Sequence, residues 1–520
     1  MARVLRTLAV RAAPYAAVLL AVTALVLTAA RLVIGSLPER REQVAGWLAA
    51  EMGHRVSIGT LGVRWRGWTP EITLTDVEIL DPTGEAAARL DHLALAIDPL
   101  ASLTSGAPAL AGVRVEGAGL SVVRETDGTI ALRGLAGGGD HGDLAALLLA
   151  APAPVELRGS EVQWEDRTRG LAPVKLSDVN VHLRNVGERH VIEASARIPG
   201  GQARYLLDAR GDLLIGAWSG FGFLEVRGLS LGRWVGRAWP GHLAAHSGAA
   251  DLTAWVEWAD GRARRVVGRM AARNASLEIG PDAVNLSEAR VGFQGLRVEP
   301  GWHVALSDLS LRSDQGAIEA AAVEIRLPGR RTAWPVIAHV PSLRLIPASG
   351  RPAQNGAGGA GPLGGILRAA PSGTIQDLWA AYGGQADASP SLRLSAGLEG
   401  FGLRSPAAGV RGLSGRVWVH GLDGHLALDA GPVTADLPQI FSEPLVLGKL
   451  TGRLVWRVED DRWVVSTPSL VVENPDLKLE VTGQLAQTPT PAASPYLSLR
   501  GQLNGLDLTT LPRYLPRRAL

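Results

Sequence analysis

The stretch Leu74-Thr-Asp-Val-Glu-Ile79 contains the pattern on which the fold depends. An aliphatic residue is followed, two positions later, by a small or turn-forming residue and then by alternating aliphatic residues. Alternation with a period of two is typical of a strand that has one apolar face. Asp, Gly or Asn inside a strand accommodates the backbone of a β-bulge, which bends the strand and increases its twist. The stretch therefore predicts a strand with a built-in kink.

The same pattern recurs along the chain at irregular intervals, so it is not a fixed-period solenoid. Its other copies are Leu90-Asp-His-Leu-Ala-Leu95, Leu110-Ala-Gly-Val-Arg-Val115, Leu176-Ser-Asp-Val-Asn-Val181, Val226-Arg-Gly-Leu-Ser-Leu231, Leu306-Ser-Asp-Leu-Ser-Leu311 and Leu503-Asn-Gly-Leu-Asp-Leu508, with weaker copies near Leu157, Leu286, Val340, Val410 and Thr467. The repeat predicts a mainly β fold with few short helices: an elongated, twisted antiparallel β-sheet that curves into a hydrophobic groove. Strand periodicity alone leaves several separate β-sandwiches open as the alternative.

The amino terminus carries the pattern of a membrane anchor. Arg3, Arg6 and Arg11 precede an uncharged run, 12–30, which as a helix of about 1.5 Å per residue would nearly span a bilayer. The early arginines predict a cytoplasmic amino terminus with the rest of the chain outside. The residues expected to lie in the membrane include Ala12, Leu19, Leu20, Leu25, Leu27 and Ile34. A cleaved signal peptide is the alternative, because small residues lie at 28–30.

The composition breaks predict five segments. They are a tail and transmembrane helix (1–36), an amphipathic helix (37–53), a β-groove (54–348), a flexible insertion rich in Gly, Ala and Pro (349–373) and a continuation of the groove (374–520). Within the groove, short helices are expected at Asp143–Ala150 and Leu231–His246. The helix at 37–53 is expected to carry Val44, Trp47, Leu48 and Met52 on one face, outside the membrane.

Composition and motifs exclude most catalytic chemistry. Cysteine is absent, which excludes disulfide scaffolds, thiolate metal sites and cysteine nucleophiles. The net charge is only +2 and the charges are interspersed, so no nucleic-acid partner is expected. Gly359-Ala-Gly-Pro-Leu-Gly364 lies in the low-complexity stretch and has Pro where a nucleotide-binding helix should begin. His242 and His246 lack the glutamate that a metalloprotease needs. We therefore expect neither an enzyme nor a cofactor.

The early strands supply the residues that are expected to line the groove. These groove candidates are Ile72, Leu74, Leu93, Leu95, Val113, Val115, Leu120 and Val122. A two-tailed lipid that moves through water exposes roughly 30 methylenes at about 0.8 kcal/mol each, more than about 20 kcal/mol in all. An alternating sheet offers a continuous apolar face against this cost and needs no specific contacts.

Several modest motifs, in a fixed order, carry a family resemblance. They are Leu37-Pro-Glu, Val44-Ala-Gly-Trp-Leu48, Gly53-His-Arg-Val-Ser-Ile-Gly59, Trp65-Arg-Gly-Trp68, Leu80-Asp-Pro-Thr-Gly84, Asp127-Gly-Thr129, Gly409-Val-Arg-Gly-Leu-Ser-Gly415, Leu437-Pro-Gln-Ile-Phe-Ser-Glu-Pro444 and Tyr514-Leu-Pro516. The chain resembles the first part of the YhdP-like proteins of the AsmA-like superfamily, which are considerably longer, so it is expected to be the N-terminal portion of a longer protein.

The resemblance implies a periplasmic β-groove, anchored in the inner membrane of a Gram-negative cell, that conducts phospholipids between the inner and outer membranes. The implied partners are phospholipid acyl chains, the inner membrane, and outer-membrane or periplasmic proteins at the distal end. The alternative function is that of a structural or assembly factor for outer-membrane biogenesis that carries no lipid.

Overall fold

The computed structural model describes residues 41–52, 55–67, 69–80, 86–106, 109–126, 130–132, 149, 151, 153–168, 172–213, 216–234, 243–279, 282–329, 335–348, 370–383, 391–405, 408–439, 441, 443–459, 462–487, 496–505, 509–510 and 514. They form two compact units, which divide between Gly220 and Phe221. The segments expected to contain the transmembrane anchor (1–36), most of the helix at 143–150 and most of the insertion at 349–373 lie outside the described residues.

The first unit is a layer of strands with two helices. The helices are α1 (Arg41–Met52) and α2 (Pro99–Ser105), and the strands are β1 (Arg55–Arg66), β2 (Thr69–Leu80), β3 (Ala86–Asp98), β4 (Ala109–Arg124), β5 (Ile130–Leu132), β6 (Val155–Asp166), β7 (Val174–Val186), β8 (Arg189–Ile198) and β9 (Gly201–Asp212). Strands β1 to β4 and β6 to β9 pair antiparallel in chain order. Strand β10 (Ala217–Ser230) crosses the division between the units.

One pairing in the first unit corrects the prediction of a purely antiparallel sheet. Strands β4 and β6 are parallel, with Val113 opposite Val155 and Val122 opposite Trp164. Two parallel neighbours need a crossover connection of a dozen or more residues. The chain between β5 and β6 (133–154) is long enough to return to the start of β4, whereas β5 forms only a short antiparallel pair with the end of β4.

The second unit is also a layer of strands, all of them antiparallel where they are described. It contains α3 (Leu231–Trp234), β11 (Leu243–Ala259), β12 (Arg262–Ile279), β13 (Asp282–Val298), β14 (Gly301–Ser313), β15 (Gly316–Leu327), β16 (Val336–Pro347), β17 (Ser372–Gly383), β18 (Ser391–Arg404), β19 (Gly409–His420), β20 (Asp423–Ala430), β21 (Val433–Asp436), β22 (Leu445–Leu447), β23 (Lys449–Glu459), β24 (Arg462–Asn474), β25 (Leu477–Gln487) and β26 (Tyr496–Asn504). The strands pair in chain order from β11 to β20 and from β23 to β26, and β20 pairs with β23.

The expectation of a mainly β fold with few short helices is confirmed for the described residues. Each unit is a single layer there, so the described strands do not form the β-sandwiches that the sequence left open. The helix expected at Leu231–His246 is confirmed for Leu231–Trp234 and wrong from Leu243, which begins strand β11; residues 235–242 lie outside the described residues. Pairing with β12 explains the difference, because it places Leu243 and Ala245 opposite Ile279 and Leu277, a contact that outweighs local helix propensity.

The kinks that the repeat predicts are present in five of its seven clear copies. Asp76, Asp178 and Asp308, at the third position of three copies, have φ of 51°, 50° and 51°, the left-handed region that Asp tolerates better than most residues. Gly228 has φ 70° in the same position of a fourth copy. Gly505 has φ 67° in a fifth copy, whereas His92 and Gly112, the corresponding residues of the other two copies, do not take this conformation.

Four mid-strand residues outside the predicted copies also have φ between 48° and 65°. They are Gly117, Asn274, Asp377 and Gly400. Each follows an aliphatic residue or alanine by two positions, as in Leu398-Glu-Gly-Phe-Gly-Leu403, so the repeat is more frequent than the sequence alone indicated.

At two kinks, the kink residue and the residue opposite it are both left out of the strand pairing. Gly59 and Asp76 are skipped together in the pairing of β1 with β2, and Asp91 and Gly117 are skipped together in that of β3 with β4. A Cβ atom on Gly117 would lie 2.1 Å from Asp91 Oδ2, so this close approach requires glycine.

The backbone N–H groups at the kinks find side-chain acceptors on the next strand of the sheet. Gly159 N donates to Asn180 Oδ1 over 3.0 Å, and Gly228 N donates to Asp251 Oδ1 over 2.8 Å. The kinks therefore bend the strands without leaving a polar backbone group unpaired at these two positions.

Candidate functional site

The eight groove candidates lie on one face of β2, β3 and β4. The pairing register aligns Ile72 with Leu95 and Val113 across the three strands, and it aligns Leu74 with Leu93 and Val115 in the next row. Leu120 and Val122 continue this face beyond the kink at Gly117, where they lie beside Val162 and Trp164 of β6. We call this side of each unit, which carries the alternating apolar residues, the aliphatic face, and the opposite side the polar face.

Helix α1 covers the aliphatic face of the first unit at β1. Leu74, which is 1% exposed, forms a buried cluster with Ile58, Leu61 and Val77. Val44 and Ala45 of the helix pack against this cluster. Arg41 also ties the helix to the strand, because its Nη1 donates to the Gly59 carbonyl oxygen over 2.9 Å. The other seven candidates are partly exposed.

In the second unit, apolar residues form rows that run from strand to strand on the aliphatic face. One row crosses eleven strands and contains only aliphatic residues and glycine: Leu309, Ala320, Leu343, Ile375, Leu398, Gly415, Leu428, Gly452, Leu470, Val481 and Gly501. A second row is equally apolar: Val304, Ile325, Ala338, Ala380, Leu394, Val419, Gly424, Trp456, Val465, Leu485 and Leu497.

A shift of one residue along each strand gives a polar row on the opposite face. The residues adjacent to the first five members of the eleven-strand row are Ser310, Glu319, Arg344, Thr374 and Glu399. Along these five strands, the alternation in sequence therefore gives an apolar row on one face and a polar row on the other.

Exposure on the aliphatic face of the second unit changes along the strands. Ala320 and Ala396 are each 3% exposed and lie close to the kinks at Asp308 and Asp377. At strand ends, Tyr382 and Trp463 are 56% and 45% exposed on the same face. A face whose small residues are buried along the kinks and whose large residues are open at the strand ends has the character of a shallow apolar trough.

Charged side chains in the first unit form a network on the polar face. Glu71, only 3% exposed, pairs with Arg64 over 2.9 Å and with Arg114 over 3.3 Å. Arg114 also pairs with Glu156 over 3.2 Å. To reach Glu71 from β4, Arg114 passes over β3, where the small Ala94 is 1% exposed. The network therefore connects four strands on the side away from the groove candidates.

The network holds both of its carboxylates in the charged form. The hydrogen bond from Arg64 lowers the pKa of Glu71, and the charges of Arg64 and Arg114 add to this effect against the cost of burial. Burial opposes ionisation of Glu156, but the hydrogen bond from Arg114 and the neighbouring positive charges of Arg158 and Arg114 outweigh it, and the pKa of Glu156 is lowered.

The described residues contain no cluster of His, Asp and Glu that could hold a metal ion. His246, half of the histidine pair noted in the sequence, lies in a strand, and its Nε2 is 2.7 Å from Glu278 Oε2. Within the described ranges, no helix has both the length and the apolar character needed to span a bilayer. The six residues expected to lie in the membrane are outside those ranges.

Sequence reasoning named groove candidates only on β2 to β4 and missed the longer rows of the second unit. The signal for these rows was present, because Leu398 and Ile375 begin unrecognised copies of the repeat. What the sequence lacked was the register that aligns them.

The comparison with protein families gives one match, to the family described as YhdP protein, over residues 1–520 of the chain. No curated protein and no solved structure matches the chain.

Proposed function

The chain belongs to the YhdP family, and on that premise we propose that it conducts phospholipids between the inner and outer membranes along its aliphatic faces. In this proposal the segment before α1 anchors the protein in the inner membrane, with a cytoplasmic amino terminus, and the strands lie in the periplasm. The family is a non-enzymatic one, and the proposed activity requires no catalytic residue and no cofactor.

The observation that carries the proposal is the unbroken apolar row on the aliphatic face of the second unit. An acyl chain laid along such a row meets only aliphatic side chains and glycine over eleven strands, at about 4.8 Å per strand. Each methylene that leaves water on this face gains about 0.8 kcal/mol. Because no polar side chain interrupts the row, a tail can slide from one strand to the next without leaving apolar surroundings.

The exposure of the aliphatic face also supports a mobile apolar occupant. Large side chains such as Leu392 and Tyr382 are 39% and 56% exposed. Extended apolar surface of this kind is uncommon on proteins without an apolar partner and marks a site for lipid or protein.

Site-specific photo-crosslinking in cells tests the proposal. A photoreactive residue at Val113, Val115, Leu120 or Val122 on the aliphatic face is expected to form adducts with phospholipid. The matched control position is Ser121, which lies between Leu120 and Val122 and points to the polar face, and it should form no such adduct. In the second unit, Leu398 and its neighbour Glu399 make an equivalent pair.

The alternative of an assembly factor that carries no lipid predicts a different result. Crosslinks from the aliphatic face would then go to protein, and lipid adducts would be absent at all four positions. Lipid adducts at Ser121 and Glu399 but not at their aliphatic neighbours would also refute conduction along this face.

A further inference from the structure

Two tryptophans lie on the polar face of the second unit with one strand between them. Trp379 of β17 pairs with Ser395 of β18, and Ser395 pairs with Trp418 of β19. All three side chains project from the same face, and the middle one is small. The backbones of the two tryptophans are therefore two strand spacings apart, about 9.6 Å, with a gap above Ser395.

The orientation of both indole rings follows from the histidines stacked behind them. His339 of β16 stacks on Trp379 with ring centroids 4.1 Å apart and 18° between the planes. His425 of β20 stacks on Trp418 at 4.6 Å and 19°. Because each histidine lies on the strand outside its tryptophan, the ring normals follow the direction from strand to strand. The free faces of Trp379 and Trp418 are thus turned toward each other across Ser395.

Hydrogen bonds fix one side of this arrangement. Asp377, the kink residue of β17, accepts from Trp379 Nε1 over 2.9 Å and lies 3.0 Å from His339 Nε2. One carboxylate therefore holds both rings of the stacked pair in place. A site in which rings are pre-positioned loses less conformational entropy when a ligand binds.

The gap is part of a cavity with a basic lining. Its volume is about 610 Å³, within the usual range for small-molecule sites. Arg393 lies two residues before Ser395 on the same face of β18, and Arg457 also lines the cavity. The carboxylate among the lining residues, Asp423, accepts a hydrogen bond from the backbone N–H of Val458 over 3.0 Å. The cavity therefore favours an anionic ligand.

We infer that this cavity binds an acidic sugar, with a pyranose ring held between Trp379 and Trp418 and its carboxylate on Arg393. The spacing between the tryptophans favours a sugar ring over a flat aromatic ring as the ligand. A flat ring between two indoles needs only about 7 Å at ordinary contact distances of about 3.5 Å on each side. A sugar ring, whose C–H bonds project above and below its mean plane, is thicker and fits the wider gap. Arginine, with its planar fork of donors, suits a carboxylate.

This inference is independent of the proposed lipid conduction, because Trp379, Trp418 and Arg393 project from the face opposite the apolar rows. The test uses the full chain in detergent and titrates it with trigalacturonic acid, an acidic oligosaccharide, by calorimetry and tryptophan fluorescence. Maltotriose is the neutral comparison and AMP the flat-ring comparison. We expect the acidic sugar to bind at least tenfold more tightly than either.

Four variants assign the binding to the cavity. Trp418→Ala should weaken binding at least tenfold, whereas Trp418→Phe, which keeps a ring, should retain most of it and shows that the site is folded. Arg393→Gln should remove the preference for the acidic over the neutral sugar. Trp255→Ala changes another exposed tryptophan of the same unit, paired with Phe223 away from the cavity, and should leave binding unchanged.

Three outcomes would overturn the inference. They are no binding of trigalacturonic acid at about 10 mM by folded protein, binding that survives Trp418→Ala and Trp379→Ala, and tighter binding of AMP than of the sugar. Each of these leaves the crosslinking test of lipid conduction unaffected, since that test reads the opposite face.

Discussion

A carboxylate on the aliphatic face should block the passage of a lipid tail. Leu485→Asp is the most informative substitution for testing this. Leu485 lies in one of the apolar rows between Val465 and Leu497, and it is 38% exposed, so a charged residue there remains solvated in the empty protein. Its neighbour Gln484 is exposed on the polar face of the same strand. Gln484→Asp therefore introduces the same charge one residue away, on the wrong side to meet a tail.

The expected effect follows from two contributions. In the Leu485→Asp variant, a passing tail loses its contact with the exposed part of the leucine, which is worth about 1 kcal/mol. It also displaces water from a carboxylate, which costs several kcal/mol. A combined barrier of about 4 kcal/mol corresponds to a rate lower by about 10³-fold at roughly 1.4 kcal/mol per factor of ten. Because a tail can detour toward a neighbouring row, a reduction of at least about tenfold is the smallest effect that fits the proposal.

The assay is transfer of a fluorescent phospholipid from donor to acceptor vesicles by the full chain. Leu485→Asn, which is polar but uncharged, should give an intermediate rate, and Gln484→Asp should match the unsubstituted protein. Hydrogen exchange of β24 and β25 checks that each variant is folded. Equal transfer by folded Leu485→Asp and Gln484→Asp would refute conduction along this row.

Three further predictions concern stability. Asp308→Ala should lower the hydrogen-exchange protection of β14 and β15 about fivefold or more, because alanine in the left-handed conformation costs about 1–2 kcal/mol. Asp308→Gly should leave the protection unchanged. Equal protection in both variants would contradict the kink at Asp308. Glu71→Gln should destabilise the first unit by about 1–2 kcal/mol near neutral pH in urea unfolding. Because the pKa of Glu71 is lowered in the folded state, the ionised carboxylate stabilises the fold above its ordinary pKa, and this stabilisation disappears as the pH falls through the lowered value. The free energies of unfolding of the two proteins should therefore become equal in acid. A difference that does not change with pH would contradict this. Leu74→Ala should cost about 2–5 kcal/mol by the same measurement, because Leu74 is fully buried under α1, and a loss below about 1 kcal/mol would argue against that cover.

The local geometry of the strands was predictable because it depends on residue types that few other conformations favour. Asp76 and Asp308 are flanked by aliphatic residues, where a turn-forming residue indicates a kink. Both have the left-handed backbone conformation of a kink. Helix α2 was missed, although Asp98 accepts from the N–H groups of Leu100 and Ala101 and Pro99 begins the helix. A seven-residue helix between two strands leaves only this capping signal in the sequence.

Pairing and distant contacts were not predictable from the chain alone. Nothing local indicates that β4 and β6 run parallel, since the connection between them lacks a strand pattern that would reveal its path. The aromatic cavity was missed for the same reason: Trp379 and Trp418 are 39 positions apart, and only the register of β17, β18 and β19 turns them toward one gap. Alternation assigns each residue to a face, whereas register decides which residues share a site.

The direct pairing of β16 with β17 has a consequence for how such chains diversify. Leu345 lies opposite Gly373, although the polypeptide between the two strands, 348–371, includes nearly all of the low-complexity stretch. The ladder is continuous from one strand to the next irrespective of what is inserted between them. A connection at a strand end can therefore be lengthened, shortened or replaced without altering the pairing of the strands, and new binding properties can be acquired there while the sheet is unchanged.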